Sequence, residues 1–299
     1  MNKTVAILTP TYNRAYILTQ LYESLVRQTC DDFIWYVIDD GSEDDTQKLC
    51  EGFSTEKIDI KYIKKENGGK HTAINAGVEV IEEPLTCIVD SDDYLTDDAI
   101  ETIVNDWNKY KNDNNISGLC YYKMYKDFKV VGNDYGTEDD FVDTYINVRL
   151  NKKVAGDKAE VYRTDILKEH KFPVFEGEKF VTESVVWLSI SKKGYTLAFI
   201  NKGIYICEYR DDGITGQGKR IIVKNPLGSV EHAKSYLSDE IKQIFQWKYI
   251  LLYVAASKLA GKSIKTTFSE CPKKIKCVVA YPLGLMLYKY LDIKWRKTI

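Results

Sequence analysis

Three carboxylates fall within four positions at Asp90-Ser91-Asp92-Asp93, directly after the apolar run Leu85–Val89. A short apolar run closed by polar residues reads as a buried strand. A buried, unpaired carboxylate costs several kcal/mol, so the acidic group belongs just past the strand's end. There, alternate side chains can converge on one divalent cation. Hard oxygen donors suit Mg2+ or Mn2+, ions that typically bridge a protein carboxylate to substrate phosphates. A solvated acidic turn leading into a helix near Thr96 explains the same residues, and on this stretch alone the two readings stand level.

Four other segments carry residue types with chemistry. The loop Thr9-Pro10-Thr11-Tyr12-Asn13-Arg14 pairs a rigid proline with an aromatic ring, a surface suited to a nucleobase or ribose face, although Tyr12 as core filler is a fair alternative. Asp40, in Asp39-Asp40-Gly41-Ser42, can accept an N–H from a base; it can equally open the turn at Gly41. Asn67-Gly68-Gly69-Lys70 offers backbone amides at a helix start together with one cation, a combination that favours a diphosphate. A helical stripe follows it, which argues against the hairpin that Asn-Gly otherwise signals. His71 has no His or Cys partner at ligand spacing and is read as structural. Glu183 stands at the first turn of a partly apolar helix, where an acidic residue is usually a surface group and less often a general base. Trp187, one turn on, can stack on an acceptor sugar, but core packing has the stronger claim. Asp157 and Lys158 are weaker acceptor-site candidates that a strand-entry turn explains equally well.

The elements around these residues follow from periodicity. Val5–Leu8 is a continuous apolar run, as a strand covered on both faces requires. Leu18, Leu21, Tyr22, Leu25 and Val26 recur at helical spacing. Phe33–Ile38 reads as a second strand, residues 45–53 as a helix, and Ile58–Ile63 as a third strand. Ile74, Gly77, Val78 and Ile81 form the next helical stripe, and Ile100, Ile103, Val104 and Trp107 another; Leu119–Met124 is a fifth strand. Strand, loop and helix repeated four times is the pattern of an α/β, doubly wound, mostly parallel sheet. Its strand-end loops share one edge, where such sheets bind ligands. Tyr12, Asp40, Lys70 and Asp90–Asp93 are therefore expected to line one crevice. Beyond residue 130 the pattern weakens. Residues 133–143 read as a loop, and Gly156-Asp157-Lys158 precedes a strand running to Tyr162. Residues 180–191 read as a helix with Thr182 as N-cap and Val185, Leu188 and Ser189 inward. Thr196–Ile200 and Ile204–Tyr209 read as two strands ended by Arg210-Asp211-Asp212-Gly213, and the chain from Pro226 onward is helical in pattern.

The 299 residues, 44% hydrophobic and 29% charged, suit a globular protein with one large α/β domain, with or without an appendage. Seven scattered cysteines without a C-x-x-C pair point to reduced thiols in the cytoplasm. Met1-Asn2-Lys3-Thr4 enters a strand at once, leaving no room for a signal peptide, and no stretch reaches the ~18 apolar residues of a membrane span. The net charge of −2 conceals an asymmetry: Lys258–Ile299 holds ten basic and two acidic residues, a net +8, leaving −10 for the rest. Within that tail the apolar run Cys277–Tyr288 is flanked by Lys273, Lys274, Lys276, Lys289, Lys294, Arg296 and Lys297, with Tyr281, Tyr288, Tyr290 and Trp295 nearby. That is the make-up of a helix lying on an anionic leaflet; packing on the domain or on a second subunit is the other reading. Nucleic-acid binding is not expected, because the basic residues accompany an apolar run rather than stacking aromatics on a positive groove.

The order Pro10-Thr11-Tyr12-Asn13, Asp39-Asp40-Gly41-Ser42, Asn67-Gly68-Gly69 with Ala73-Ile74-Asn75-Ala76-Gly77, then Asp90-Ser91-Asp92-Asp93 resembles family 2 glycosyltransferases of the GT-A fold. The resemblance covers residues 1–125 closely and extends more loosely to Gly213. It implies an inverting transfer of a sugar from a nucleoside diphosphate, often UDP, with Mn2+ or Mg2+. On that resemblance Pro10, Thr11, Tyr12 and Asp40 hold the nucleoside, with Asn67, Gly69, Lys70, Asp90 and Ser91 among the nucleotide contacts. Asp90 and Asp92 match the family's Asp-x-Asp motif, Asp92 being the expected direct metal ligand with Asp93 assisting. Glu183 matches the catalytic base, although the family often shows Glu-Asp where this chain has Glu183-Ser184. The Gln-x-x-Arg-Trp segment of processive synthases is missing, so one addition per acceptor is expected. The expected division is a GT-A domain over 1–215, with a nucleotide-sugar half (1–125) and an acceptor half (126–215), followed by a basic helical extension over 216–299. The expected enzyme is cytoplasmic, peripheral on the inner membrane face and possibly a homo-oligomer, and builds cell-surface polysaccharide on a saccharide or polyprenyl-linked acceptor. A nucleotidyltransferase would usually show a Gly-rich basic loop after its first strand, which Thr9–Arg14 is not; a non-catalytic nucleotide-sugar scaffold is the remaining alternative.

Overall fold

The computed structural model describes residues 3–53, 58–208 and 218–295. Its first half repeats strand and helix: β1 (Val5–Thr11), α1 (Leu18–Val26), β2 (Phe33–Asp39), α2 (Thr46–Glu51), β3 (Asp59–Lys64), α3 (Lys70–Val80), β4 (Leu85–Ile88), β5 (Tyr94–Leu95), α4 (Ala99–Tyr110) and β6 (Ile116–Met124). There follow β7 (Phe141–Asp143), a π-helical turn (Asn147–Asn151), β8 (Lys158–Arg163), α5 (Thr164–Glu169), α6 (Ser184–Lys192) and β9 (Thr196–Ile206). The chain closes with α7 (Arg220–Lys224), α8 (Pro226–Ser235), α9 (Gln243–Leu259), α10 (Ile264–Glu270) and α11 (Lys274–Trp295).

One sheet runs in the order β3-β2-β1-β4-β8-β6-β9-β5, with β7 also on β9. β3, β2, β1 and β4 are parallel throughout. The chain moves outward from β1 to β3 and then returns to the other side of β1, so strand order reverses there, and crevices open at such switch points. Strand alternation builds a core on each face. Val5, Ile7, Phe33, Trp35 and Val37 face α1 and α4, whereas Ala6, Leu8, Tyr36 and Ile38 face α3. Helix α3 buries Ala73, Ile74 and Val78, each large side chain contributing about 1.5–3 kcal/mol. Gly77 lets it approach closely, since a Cβ there would lie 2.9 Å from Ile38 Cγ1 and nearer still to Leu8.

The second half departs from a simple continuation. β8 inserts antiparallel between β4 and β6, and β9 returns parallel to β6. Residues 196–206 form one strand rather than two: Gly203 pairs with Tyr122 at a register shift, so Asn201-Lys202-Gly203 is a bulge and not a turn. Tyr209 and the segment Arg210–Gly213 lie outside the described residues. Helices α8, α9 and α11 enclose a core of their own, with Val230, Ala233, Ile250, Tyr253, Val254, Cys277 and Ala280. The seven cysteines are free. No helix among the described residues is long and apolar enough to cross a membrane.

Candidate functional site

The loops after β1 and β2 are stitched into one wall. Asn13 N–H donates to Ser42 Oγ (2.8 Å), Glu43 N–H to Asn13 Oδ1 (2.8 Å), and Arg14 N–H to Thr46 Oγ1 (3.1 Å). Pro10 and Thr11 are buried beneath it, and the Tyr12 ring is 45% exposed at its edge, so Tyr12 is not core filler. Thr11 Oγ1 is buried without a hydrogen-bond partner, an orphan that costs about 1–3 kcal/mol unless something fills it.

Asp40 has a different partner from the one its sequence suggested. Its Oδ1 accepts from Gly68 N–H (3.0 Å) and Lys65 Nζ (2.7 Å), and its Oδ2 from Gly69 N–H (2.6 Å). A helix N-terminus favours an anion, and at α3 that anion is the protein's own carboxylate. The Gly68 and Gly69 amides expected to cradle a diphosphate are thereby occupied, and Asp40 is only 3% exposed. Gly69 sits at φ +94°, which L side chains rarely adopt, and a Cβ there would collide with the Lys179 carbonyl.

Lys70 is the centre of the crevice. Its Nζ lies 2.6 Å from Asp90 Oδ1 and 2.7 Å from Glu183 Oε1. Burial works against the ammonium, but the two carboxylates outweigh it and hold its pKa above the usual lysine range. Against the same opposing burial, Lys70 and then Lys123 hold Asp90 below the ordinary carboxylate range. Asp92 is raised, first by desolvation and then by the charge of Asp90; its ion-pair partner Arg14 stands 3.8 Å away. Asp93 is pushed up to about 7 by the same two causes.

The acidic turn is held from a distant strand. Tyr205 Oη on β9 accepts from Asp90 N–H (2.9 Å) and donates to Asp93 Oδ2 (2.8 Å), while Glu208 N–H donates to Asp93 Oδ1 (3.2 Å). Both oxygens of Asp93 thus accept hydrogen bonds inside the protein, and Asp93 is more buried than Asp92. Ser91 is buried in the turn. Among the described residues no three metal-ligating side chains converge. Asp90 and Asp92 remain, two crowded carboxylates whose mutual repulsion a cation would relieve. Such a pair fits Mg2+ or Mn2+ if phosphate oxygens complete the shell.

Two acceptor-site expectations are corrected. Trp187 is 6% exposed, stacked on Tyr162 at 4.4 Å between ring centroids and edge-on to Phe172, so it is core. Lys158 is 2% exposed and donates from Nζ to the carbonyls of Val131 (3.0 Å) and Ala155 (3.1 Å); it ties loops together. Asp157 is exposed before β8. Asn67 is half-buried beside Gly41. Lys123, whose Nζ lies 4.0 Å above the Tyr205 ring, and Tyr205 itself were not singled out; they come to the site through β6–β9 pairing, for which local sequence carries no signal.

The profile of the family described as Glycosyl transferase family 2 matches residues 6–170, more than half of the chain and all of the crevice except Glu183, Tyr205 and Glu208. The chain belongs to glycosyltransferase family 2. This family 2 glycosyltransferase is 24% identical over 298 residues to the GalNAc(5)-diNAcBac-PP-undecaprenol beta-1,3-glucosyltransferase of Campylobacter jejuni, an alignment covering 97% of this chain and 89% of the other. Its fold resembles that of S. aureus TarS 1–349 in complex with UDP (TM-score 0.60, 18% identity, 99% of this chain and 92% of that one). It also resembles the mannosyltransferase PcManGT of Pyrobaculum calidifontis in complex with GDP-Man and Mn2+ (TM-score 0.55, 17% identity, 98% and 83%). These matches agree with the GT-A, mostly parallel fold expected from the sequence, with helices added at the C-terminus.

Proposed function

We propose that this glycosyltransferase moves one sugar, with inversion, from a UDP-sugar to a lipid-linked saccharide during cell-surface polysaccharide synthesis. The observation that carries the reading is the shared cation: Lys70 Nζ touches both the Asp90 carboxylate and the Glu183 carboxylate, so the two acids reach one small volume from separate segments. In the proposed role, Lys70 turns to the departing diphosphate and stabilises its growing charge. Glu183, released from Lys70, takes the proton from the acceptor hydroxyl as that oxygen attacks the anomeric carbon from the face opposite the leaving group. Tyr12, Pro10 and Thr11 would hold the nucleoside, with Thr11 Oγ1 gaining the partner it lacks. Mn2+ or Mg2+, held by Asp92 with Asp90, would supply further positive charge to the diphosphate. The UDP complex of TarS, the Mn2+ complex of PcManGT and the undecaprenol-linked substrate of the Campylobacter relative support donor, metal and acceptor class respectively.

We place residues 1–125 as the donor half, 126–215 as the acceptor half and 216–299 as a membrane-docking extension on the inner leaflet. Helix α11 leaves Ile275, Val278, Val279, Leu283, Met286, Tyr290 and Ile293 exposed on the side opposite its buried Cys277, Ala280, Gly284 and Leu291. Lys219, Arg220, Lys276 and Lys294 sit over the aromatic rings at its border. Apolar area edged by cations suits an anionic lipid surface. Arg296 and Lys297 lie outside the described residues. The test of the catalytic reading is Glu183→Gln: UDP release from a panel of UDP-sugars should fall about 10²–10⁴-fold while calorimetric UDP binding with Mn2+ persists. Unchanged turnover would remove Glu183 from the mechanism; a parent that binds UDP yet releases none from any UDP-sugar would favour the scaffold reading.

A further inference from the structure

The loop that delivers Glu183 is gripped from two sides. On one side Gly69 admits the Lys179 carbonyl into space a Cβ would fill. On the other, the N-terminus of α8 takes hold. Glu178, 9% exposed, accepts from Leu227 N–H at Oε1 (2.7 Å) and from Gly228 N–H at Oε2 (2.8 Å). Asn225 Oδ1 accepts from Lys179 N–H (2.9 Å). Gly228 in turn leaves room for the Phe180 carbonyl, which a Cβ there would strike. Three successive residues shortly before the base, Glu178, Lys179 and Phe180, are therefore set by the first turn of α8 and the N-cap glycine of α3. This explains why α6 begins at Ser184 instead of near Phe180: the backbone of residues 178–180 is already committed to other partners.

We propose that Glu178 is a positioning residue for sugar transfer, fixing Glu183 through a two-oxygen cap on α8, so that the helical extension is a working part of the catalytic half rather than an anchor alone. The proposal rests on the reading of Glu183 as the base. A carboxylate suits both acceptor positions, whereas a carboxamide offers one acceptor and one donor; Glu178→Gln therefore breaks one arm of the grip without emptying the site. Gly228→Ala acts by a different route, removing no capping donor or acceptor while crowding the Phe180 carbonyl, and alanine favours the helix.

The test uses the full chain and three readouts: amide hydrogen exchange of residues 178–184, calorimetric binding of UDP with Mn2+, and UDP release from UDP-sugars with water as acceptor. Both variants should raise exchange in that segment at least tenfold, leave UDP affinity within twofold, and lower UDP release at least tenfold. In a Glu183→Gln background Glu178→Gln should lower release no further, because it acts through the missing base. Unchanged exchange, release within twofold of the parent, or losses that multiply in the double variant would each overturn the proposal. If Glu183→Gln alone keeps the parent rate, the base reading falls; the exchange arm still reports on the grip by itself.

Discussion

Replacing Lys70 by methionine keeps the length of the side chain and removes the charge between Asp90 and Glu183. At 2.6 and 2.7 Å and an effective dielectric constant near 20, each pair has a raw attraction of about 6 kcal/mol. Desolvation cancels much of that, and the three side chains keep 23–33% of their exposure. A net loss of about 2 kcal/mol is the reasonable figure, below the ~3–5 found when a fully buried pair is broken. The sign with pH follows from the same contacts. In the parent, Lys70 holds Asp90 ionised below its ordinary range, so that contribution persists at pH 7 and is lost only as pH falls below about 4. In the variant two carboxylates face each other uncompensated, and the first proton they take up relieves the repulsion. Urea unfolding should therefore show a deficit of about 2 kcal/mol at pH 7 that narrows toward pH 4. Calorimetry at pH 7 should show UDP with Mn2+ bound about tenfold more weakly, a lost charge-assisted phosphate contact. Equal unfolding midpoints together with unchanged UDP affinity would refute the idea that this cation links the diphosphate site to the base.

Tyr205→Phe removes the hydroxyl that joins Asp90 N–H to Asp93; thermal or urea unfolding should register about 1–3 kcal/mol, and Mn2+-dependent UDP binding should weaken as the turn carrying Asp92 loosens. His232 lies against Tyr236 and Tyr249, at 5.3 and 5.2 Å between ring centroids, and burial, then Lys248, depresses it to about 4. Below pH 6.5 the unfolded histidine takes a proton that the folded one refuses, so stability present above that pH declines toward pH 4, by about 1–2 kcal/mol at pH 5. His232→Phe should flatten the difference between urea midpoints at pH 7 and pH 5. Val279→Asp with Met286→Asp, both on the exposed face of α11, should abolish co-flotation with phosphatidylglycerol-containing vesicles without lowering the melting temperature.

Part of the crevice is legible because parallel strands send their C-terminal ends to one edge, and polar clusters after apolar runs mark those ends: Lys70 meets Asp90, and Arg14 of the first loop reaches Asp92. What local pattern could not convey was who partners whom. Asp40 looked available to a base because nothing nearby in sequence shows that the glycine loop, 28 residues on, turns its amides back onto it. Trp187 sits at a spacing equally good for a sugar platform or a core, and only Tyr162 beside it settles the matter. Asp93 differs from Asp92 through a tyrosine on β9. Helical pattern begins at Phe180, yet α6 starts at Ser184 for a related reason: Glu178 and Lys179 bond to the start of α8 instead.

The insertion of β8 has a mechanical consequence. A strand from the second half of the sheet's chain order, β8, is riveted between β4, which carries the acidic turn, and β6. The strands on either side of β8 thus belong to one continuous hydrogen-bonded sheet, a spine that holds the acidic turn and β6 at a fixed separation.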